Sequence, residues 1–282
     1  MNAALPTEIV EALDRAGLRP RAARPITTLV SPLHQRAVYR VELVSGETIK
    51  ARRVEDETTA RALCDLRRDL PPAFAPVRAC HGRVLLEPWI EGEELRGRPP
   101  SATLLDAAGA ALAALHAMTT AANRTVRAIG STQTWRAHGE RQLAKFAARG
   151  MLDAAAGERI GAALARFDPG TAVLGLVHSD FCGENMVLDA TGALHVIDNE
   201  RVSVDALGYD LARTRTRWEL NAADWERFAA AYAAHGGPQE AFAAPDFWRL
   251  VASIATAAAR LTVDIATPET FAALRSWAAE LP

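Results

Sequence analysis

Along the first third of the chain apolar positions alternate with polar ones, and along the rest they recur every three or four residues. The alternation predicts strands at 26–30 (ITTLV), 37–44 (AVYRVELV) and 47–54 (ETIKARRV). Ser45-Gly46 supplies a hairpin turn between the last two, and Ser31-Pro32-Leu33-His34 breaks the chain between the first two. Helical spacing predicts a short helix over 6–16 and a second over 56–70. The second sets Ala60, Leu63, Cys64, Leu66 and Leu70 on one side and stops at Pro71-Pro72. Short strands are expected at 76–80 and 83–87, before Glu87-Pro88-Trp89-Ile90-Glu91-Gly92 runs into helical sequence.

From 102 onward the helical period dominates, with Leu104, Leu105, Ala108, Leu112 and Leu115 in one stripe and further amphipathic helices at 136–149 and 152–166. Residues 172–198 interrupt it. There VLGLV, MVLD and ALHVID read as strands, separated by the turn-rich segments SDFCGEN and ATG. The pattern predicts an α+β protein with two parts, a sheet-rich 1–90 and a mainly helical 91–282 that holds this interrupting hairpin.

Composition narrows the partners. In 282 residues the 32 basic and 34 acidic side chains nearly cancel, so the net charge of -2 points to neither nucleic acid nor a membrane surface. Cys64, Cys80 and Cys182 lie far apart without CxxC spacing, which disfavours a disulfide framework or zinc site. The N-terminal stretch lacks the basic start and apolar run of a signal peptide, so a cytoplasmic protein is expected.

The chemistry concentrates in VLGLVHSDFCGENMVLD, where a strand delivers an irregular loop carrying His178, Asp180 and Asn185. If MVLD pairs antiparallel with ALHVID, Asn185 falls within about one residue of being opposite Asp198. An amide oxygen and a carboxylate converging there suit Mg2+, and Asp180 can accept a proton from a substrate hydroxyl. A rival arrangement, a metal-dependent hydrolase using His178, Asp180, His195 and Asp198, is disfavoured because His195 and Asp198 are an odd number apart on their strand.

HSDFCGEN followed by VIDNE resembles the catalytic loop and metal-binding segment of aminoglycoside phosphotransferase-like and choline kinase-like enzymes, which are relatives of the protein kinases. LAALHAM at 112–118 and Gly208-Tyr209-Asp210-Leu211-Ala212 extend the resemblance over nearly the whole chain. It implies a bilobal protein kinase-like fold, with ATP between a nucleotide lobe and a helical lobe. It implies that Asp180 is the catalytic base, that Asn185 and Asp198 bind magnesium, and that His178 braces the loop.

The nucleotide lobe is then expected to supply a cation to the phosphates, Lys50 ahead of Arg52, which shares its strand face. Its carboxylate partner is expected on the next helix, at Glu57 with Glu55 as fallback. Glu87 to Ile90 resembles the hinge that binds adenine through its backbone, with Ile90 the donor because Pro88 has none. The phosphate turn Ser31–Arg36 contains no glycine, so backbone amides, Ser31 or Arg36 are expected to replace a glycine-rich grip.

Phosphoryl transfer to a small-molecule hydroxyl follows, with an antibiotic as the leading acceptor. A metabolite kinase acting on choline, homoserine or an amino sugar is the alternative, and a nucleotide-binding pseudokinase a second one. A cationic acceptor is expected from the resemblance and from the acids Glu184, Glu200, Asp205 and Asp210 around the catalytic segment, of which Asp210 also suits loop bracing. The assembly is expected to be a monomer or homodimer.

Overall fold

The computed structural model describes residues 5–26, 38–118, 129–262 and 265–281. In chain order the elements are α1 (Thr7–Arg15), β1 (Pro20–Pro25), β2 (Val38–Leu43), β3 (Thr48–Arg53), α2 (Glu57–Arg67), β4 (Ala79–His81), β5 (Val84–Pro88), β6 (Glu93–Glu94), α3 (Ala102–Ala117), β7 (Ile129–Ser131), α4 (Gln133–Ala148) and α5 (Ala154–Phe167). They continue with β8 (Thr171–Val177), β9 (Met186–Leu188), β10 (Leu194–Val196), β11 (Ser203–Ala206), α6 (Leu207–Arg217), α7 (Ala222–Ala234), α8 (Pro245–Thr262) and α9 (Ala272–Glu280). The described residues form two compact units, one of 5–97 with 184–202, the other of 98–118, 129–183 and 203–281.

The first unit is built on an antiparallel five-stranded sheet in the order β1-β2-β3-β5-β4. Period two sorts its side chains. Val41, Leu43, Ile49, Ala51, Val84 and Leu86 form one core with Ile9, Ala12 and Leu13 of α1, while Leu85, between two of them, packs with Ala60 and Leu63 of α2. Lys50, Arg52 and Glu87 therefore share the α2 face. β1 has no counterpart in the expected strands, because PRAARP carries prolines at both ends. An edge strand tolerates them, and β1 is an edge. Of the expected strand 26–30, residues 27–30 lie outside the described residues, as does the turn Ser31–Arg36.

Compactness also divides the chain differently from the boundary expected at residue 90. The β9–β10 hairpin and β6 form a three-stranded sheet in the first unit. Phe74 bridges Val196, and Ala75 donates to the Val196 carbonyl at 2.9 Å. A side chain at Gly92 would run into the Leu188 carbonyl, so only glycine lets the chain pass there.

The second unit is the helical one. Its core joins α4, α5, α6, α8 and α9 through Phe146, Ile160, Tyr209, Trp248, Ile254 and Leu274. A small sheet of order β11-β8-β7 runs through it. Gly208, at the start of α6, lies against the Trp248 indole, where any side chain would collide. No described helix is long and apolar enough to cross a membrane.

Candidate active site

In the first unit the β3–β5 register sets Lys50 opposite Glu87. Lys50 Nζ stands 2.6 Å from Asp198 Oδ1, and Arg52 Nη2 donates to the same oxygen. Arg52 Nη1 lies 3.0 Å from Glu200 Oε2, and its Nε 3.8 Å from Glu87 Oε2. Arg67, from the buried side of α2, donates to Glu87 and to the Ala75 carbonyl, the latter at 2.9 Å. The side chains of Arg52, Arg67 and Glu87 are only 5%, 0% and 4% exposed. Burial alone pushes Glu87 up, but Arg67, Lys50 and Arg52 outweigh it and hold the carboxyl below its ordinary value. Burial likewise opposes ionisation of Asp198, and Lys50 and Arg52 hold it far below the usual carboxylate range. Burial would lower Arg52, but Glu200, Asp198 and Glu87 raise it.

The hairpin positions Asp198. Leu194, His195 and Val196 pair with Leu188, Val187 and Met186, and Ile197 donates to the Asn185 carbonyl at 2.9 Å. Asn185 thus falls one residue from opposite Asp198, the offset predicted for this hairpin. Asp198 itself is left-handed, with φ 62°. The buried Asn199 beside it fixes the turn by donating its amide to Ala75 and Val196 carbonyls at 3.1 and 3.2 Å.

In the second unit β8 ends at Val177 and delivers His178, Ser179 and Asp180. Fully buried Asp210 accepts from the backbone amides of His178 and Ser179 at 2.7 and 2.8 Å. It also meets His116 Nε2 at 3.1 Å, and His116 Nδ1 is 2.9 Å from the Tyr232 hydroxyl. Burial pushes Asp210 up, but the His116 hydrogen bond and the His116 and His178 charges bring it below its ordinary value. With its loop held from beneath, Ser179 adopts φ 63°, and the Asp180 amide donates to His178 Nδ1 at 3.3 Å. Asp180 Oδ1 receives Arg213 Nη2 at 3.3 Å and Arg217 Nε at 3.1 Å.

Several expected positions differ. Glu57 does not meet Lys50. Its side chain is 61% exposed and bonds Arg61 at 2.7 Å, because α2 turns Ala60, Leu63 and Arg67 inward and leaves its first residue in solvent. Glu55 is exposed too, and Lys50 takes Asp198 instead. Glu200 does not line an open acceptor mouth, since it faces Arg52. Asp205 accepts from Trp135 Nε1 at 3.2 Å and from the Ala206 amide at 2.7 Å, and burial raises its carboxyl. Asp210 braces the loop from the interior. Of the four acids proposed for a cationic acceptor, Glu184 alone is exposed. Ile90 follows β5, whose pairing extends to Trp89 donating to Thr48 at 3.2 Å. Ser31 lies outside the described residues.

His195 is turned to Asp189 at 2.9 Å. Among the described residues no three His, Cys, Asp or Glu side chains gather to hold a metal. The sequence reading missed Arg67, Asn199, Arg213 and Arg217. Arg67 is four residues from Leu63 in the apolar stripe, and Arg213 and Arg217 stand three and seven residues after Asp210, spacings that mark a shared helix face.

A profile described as the phosphotransferase enzyme family matches residues 61–250. The chain belongs to that family. Solved structures share the fold of this phosphotransferase. A macrolide 2'-phosphotransferase from Brachybacterium faecium is 22% identical, with 96% of each chain covered and a TM-score of 0.65. A spectinomycin phosphotransferase solved with ADP and spectinomycin is 13% identical, covering 98% of this chain and 95% of that one, with a TM-score of 0.66. A choline kinase from Cryptosporidium parvum is 12% identical over 96% and 90%, with a TM-score of 0.65. No curated protein matches the chain. The fold is thus protein kinase-like and the chain a small-molecule kinase, which implies ATP use.

Proposed function

We propose that this phosphotransferase moves the γ-phosphoryl group of ATP to a hydroxyl of a small molecule, with Asp180 as the base. The observation that carries the reading is the ionised Asp198 met by Lys50 from β3, one residue out of register from Asn185. An amide oxygen and a carboxylate already attracting cations form a hard donor pair that fits Mg2+. When bound, the ion would neutralise phosphate charge.

The remaining work falls to the chain. Lys50 supplies positive charge to the phosphates, and Arg52 holds Asp198 and Glu200 in place. Asp180 orients the acceptor hydroxyl and takes its proton, while Asp210 and His178 keep the loop in shape. The backbone from Glu87 to Ile90 is the proposed adenine hinge, and Ser31 with its neighbours the phosphate turn. A pseudokinase is disfavoured by the complete set Lys50, Asp180, Asn185 and Asp198.

Inactivation of an antibiotic and phosphorylation of a metabolite such as choline, homoserine or an amino sugar are both forms of this reaction. The inward engagement of Glu200, Asp205 and Asp210 tells against a polycationic acceptor in either class. The test is a thermal shift with ATP, Mg2+ and both together, followed by phosphate transfer over a panel of hydroxylated compounds. A shift that needs both, lost or moved to higher Mg2+ in Asn185→Ala and Asp198→Ala, is expected. Nucleotide binding indifferent to Mg2+ and to both substitutions would refute the assignment.

A further inference from the structure

Cys64 and Cys80 lie far apart in sequence and come together in the first unit. Ala79 packs into the α1 core, so the alternation along β4 turns Cys80 to the other face of the sheet. Opposite Leu85 in the ladder, it joins Cys64 of α2 on the cluster of Ala60, Leu63 and Leu85. Both thiols are reduced and half-buried, and both line one cavity of about 230 Å³. The exposed pairs Arg61–Glu57 at 2.7 Å and Arg68–Asp65 at 2.9 Å edge that cavity. Burial, and then the neighbouring Cys64 thiol, push Cys80 up to about 11. The chain between the two cysteines carries the contacts that seat the Asp198 hairpin. Arg67 and Asn199 both donate to the Ala75 carbonyl. Phe74 bridges Val196, whose amide donates to the Ala73 carbonyl at 2.6 Å.

We propose that Cys64 and Cys80 are a redox pair, which a low-molecular-weight disulfide oxidises to an intramolecular disulfide that braces the hairpin presenting Asp198. Cys80 is held protonated at neutral pH, which leaves the first attack to Cys64. The Cys64 thiolate attacks one sulfur of the oxidant, whose S–S bond breaks and releases a thiolate. Cys80 then gives its proton to solvent and attacks Cys64 Sγ, expelling the second thiolate. The two protein thiols are oxidised, and the oxidant is reduced to two thiols. The bond closes 64–80 into a ring and ties α2 to β4, an edge strand. Because it joins groups already packed together, it holds the arrangement in which Arg67 meets Glu87 and Ala75. The thiol chemistry stands apart from the phosphotransferase reading, while its consequence for the site, through Asp198, rests on it.

The test compares the full chain treated with oxidised glutathione, then cleared of it, with the same protein kept in dithiothreitol. Intact mass should fall by two hydrogens without a glutathione adduct. A non-reducing peptide map should join the Cys64 and Cys80 peptides and leave Cys182 a thiol. Closing a loop of about 15 residues should raise Tm by about 6–12 °C. Hydrogen exchange at the Val196 and Ile197 amides should slow by about tenfold or more. Dithiothreitol should reverse all of these, and Cys64→Ala and Cys80→Ala should each abolish them. The wild-type comparison alone remains decisive where a variant folds poorly. A mixed disulfide that goes no further, a bond to Cys182, or an oxidised protein with unchanged or lower Tm would overturn the pair. A raised Tm with unchanged exchange at Val196 and Ile197 would overturn the brace on the hairpin. None of these measurements requires turnover, so their failure and that of the kinase reading, tested by thermal shift with ATP and Mg2+, are distinguishable.

Discussion

Replacing Arg52 with glutamine should damage the fold more than replacing Lys50, although both touch the same Asp198 oxygen. The Arg52 side chain is 5% exposed and stands among three carboxylates. Asp198 is 41% exposed and keeps Lys50, and Glu87 keeps Arg67, so the main loss falls on Glu200 and on the balance of the buried group. Removing one partner of a buried ion pair costs about 3 kcal/mol or more, and at about 2–4 °C per kcal/mol the expected Tm deficit is about 6–12 °C. Lys50→Met should stay within about 3 °C of wild type, since its loss is that of a partly solvated pair, while activity falls steeply.

The deficit should depend on pH in a definite direction. In the wild-type protein Glu87 and Asp198 sit below their ordinary values, so they favour folding above about pH 4 and lose that contribution as pH falls through their folded values. Without Arg52 the folded values move up toward their ordinary ones, so the variant has less of this contribution to lose on acidification. Scanning calorimetry from pH 7 down to pH 4 should show the gap to wild type narrowing at the acid end. A Tm within about 2 °C of wild type at every pH, or a gap that widens on acidification, would refute this account of the cluster.

Asp180→Ala should lower turnover by about 10²- to 10⁴-fold with little change in ATP affinity, read by steady-state kinetics and nucleotide titration. Asp210→Asn keeps the shape but loses the charge that receives two loop amides and His116. It should cost about 2–4 kcal/mol and lower kcat together with Tm, and an unchanged kcat would detach the loop from this brace. Glu57→Gln should change stability by less than about 0.5 kcal/mol and leave kinetics unaltered, because its partner is the exposed Arg61. A Lys50-like defect there would restore the helix pairing that the geometry denies.

Local pattern carried much of the fold. The alternation in TIKARR put Lys50 and Arg52 on one face, and the short segments around Ala190-Thr191-Gly192 implied the register that brings Asn185 near Asp198. What stayed hidden was which side chain waits opposite. Periodicity assigns a face and says nothing of a neighbour 148 residues away, as in Lys50 with Asp198. Arg67 sits at an apolar-stripe position, yet an arginine there reads as a stem reaching to solvent, and only the buried Glu87 explains its inward turn. The acids around the catalytic loop misled for the same reason. Closeness in sequence suggested a shared mouth, whereas Glu200 points to β3 and Asp205 to α4.

The division of the chain also imposes an order on biosynthesis. Residues 5–97 leave the ribosome before the 184–202 segment that completes their unit, which follows about 90 residues later. At about 5–20 residues per second the nascent sheet waits roughly 4–17 s. Throughout that interval Phe74 and the two-residue strand Glu93–Glu94 lack the hairpin on which they close. An isolated fragment ending near residue 97 therefore displays unpaired strand backbone at Glu93–Glu94 and at Phe74, a feature that recruits chaperones and drives aggregation. Slowing translation across the helical middle of the gene should lower soluble yield more than slowing it after residue 202.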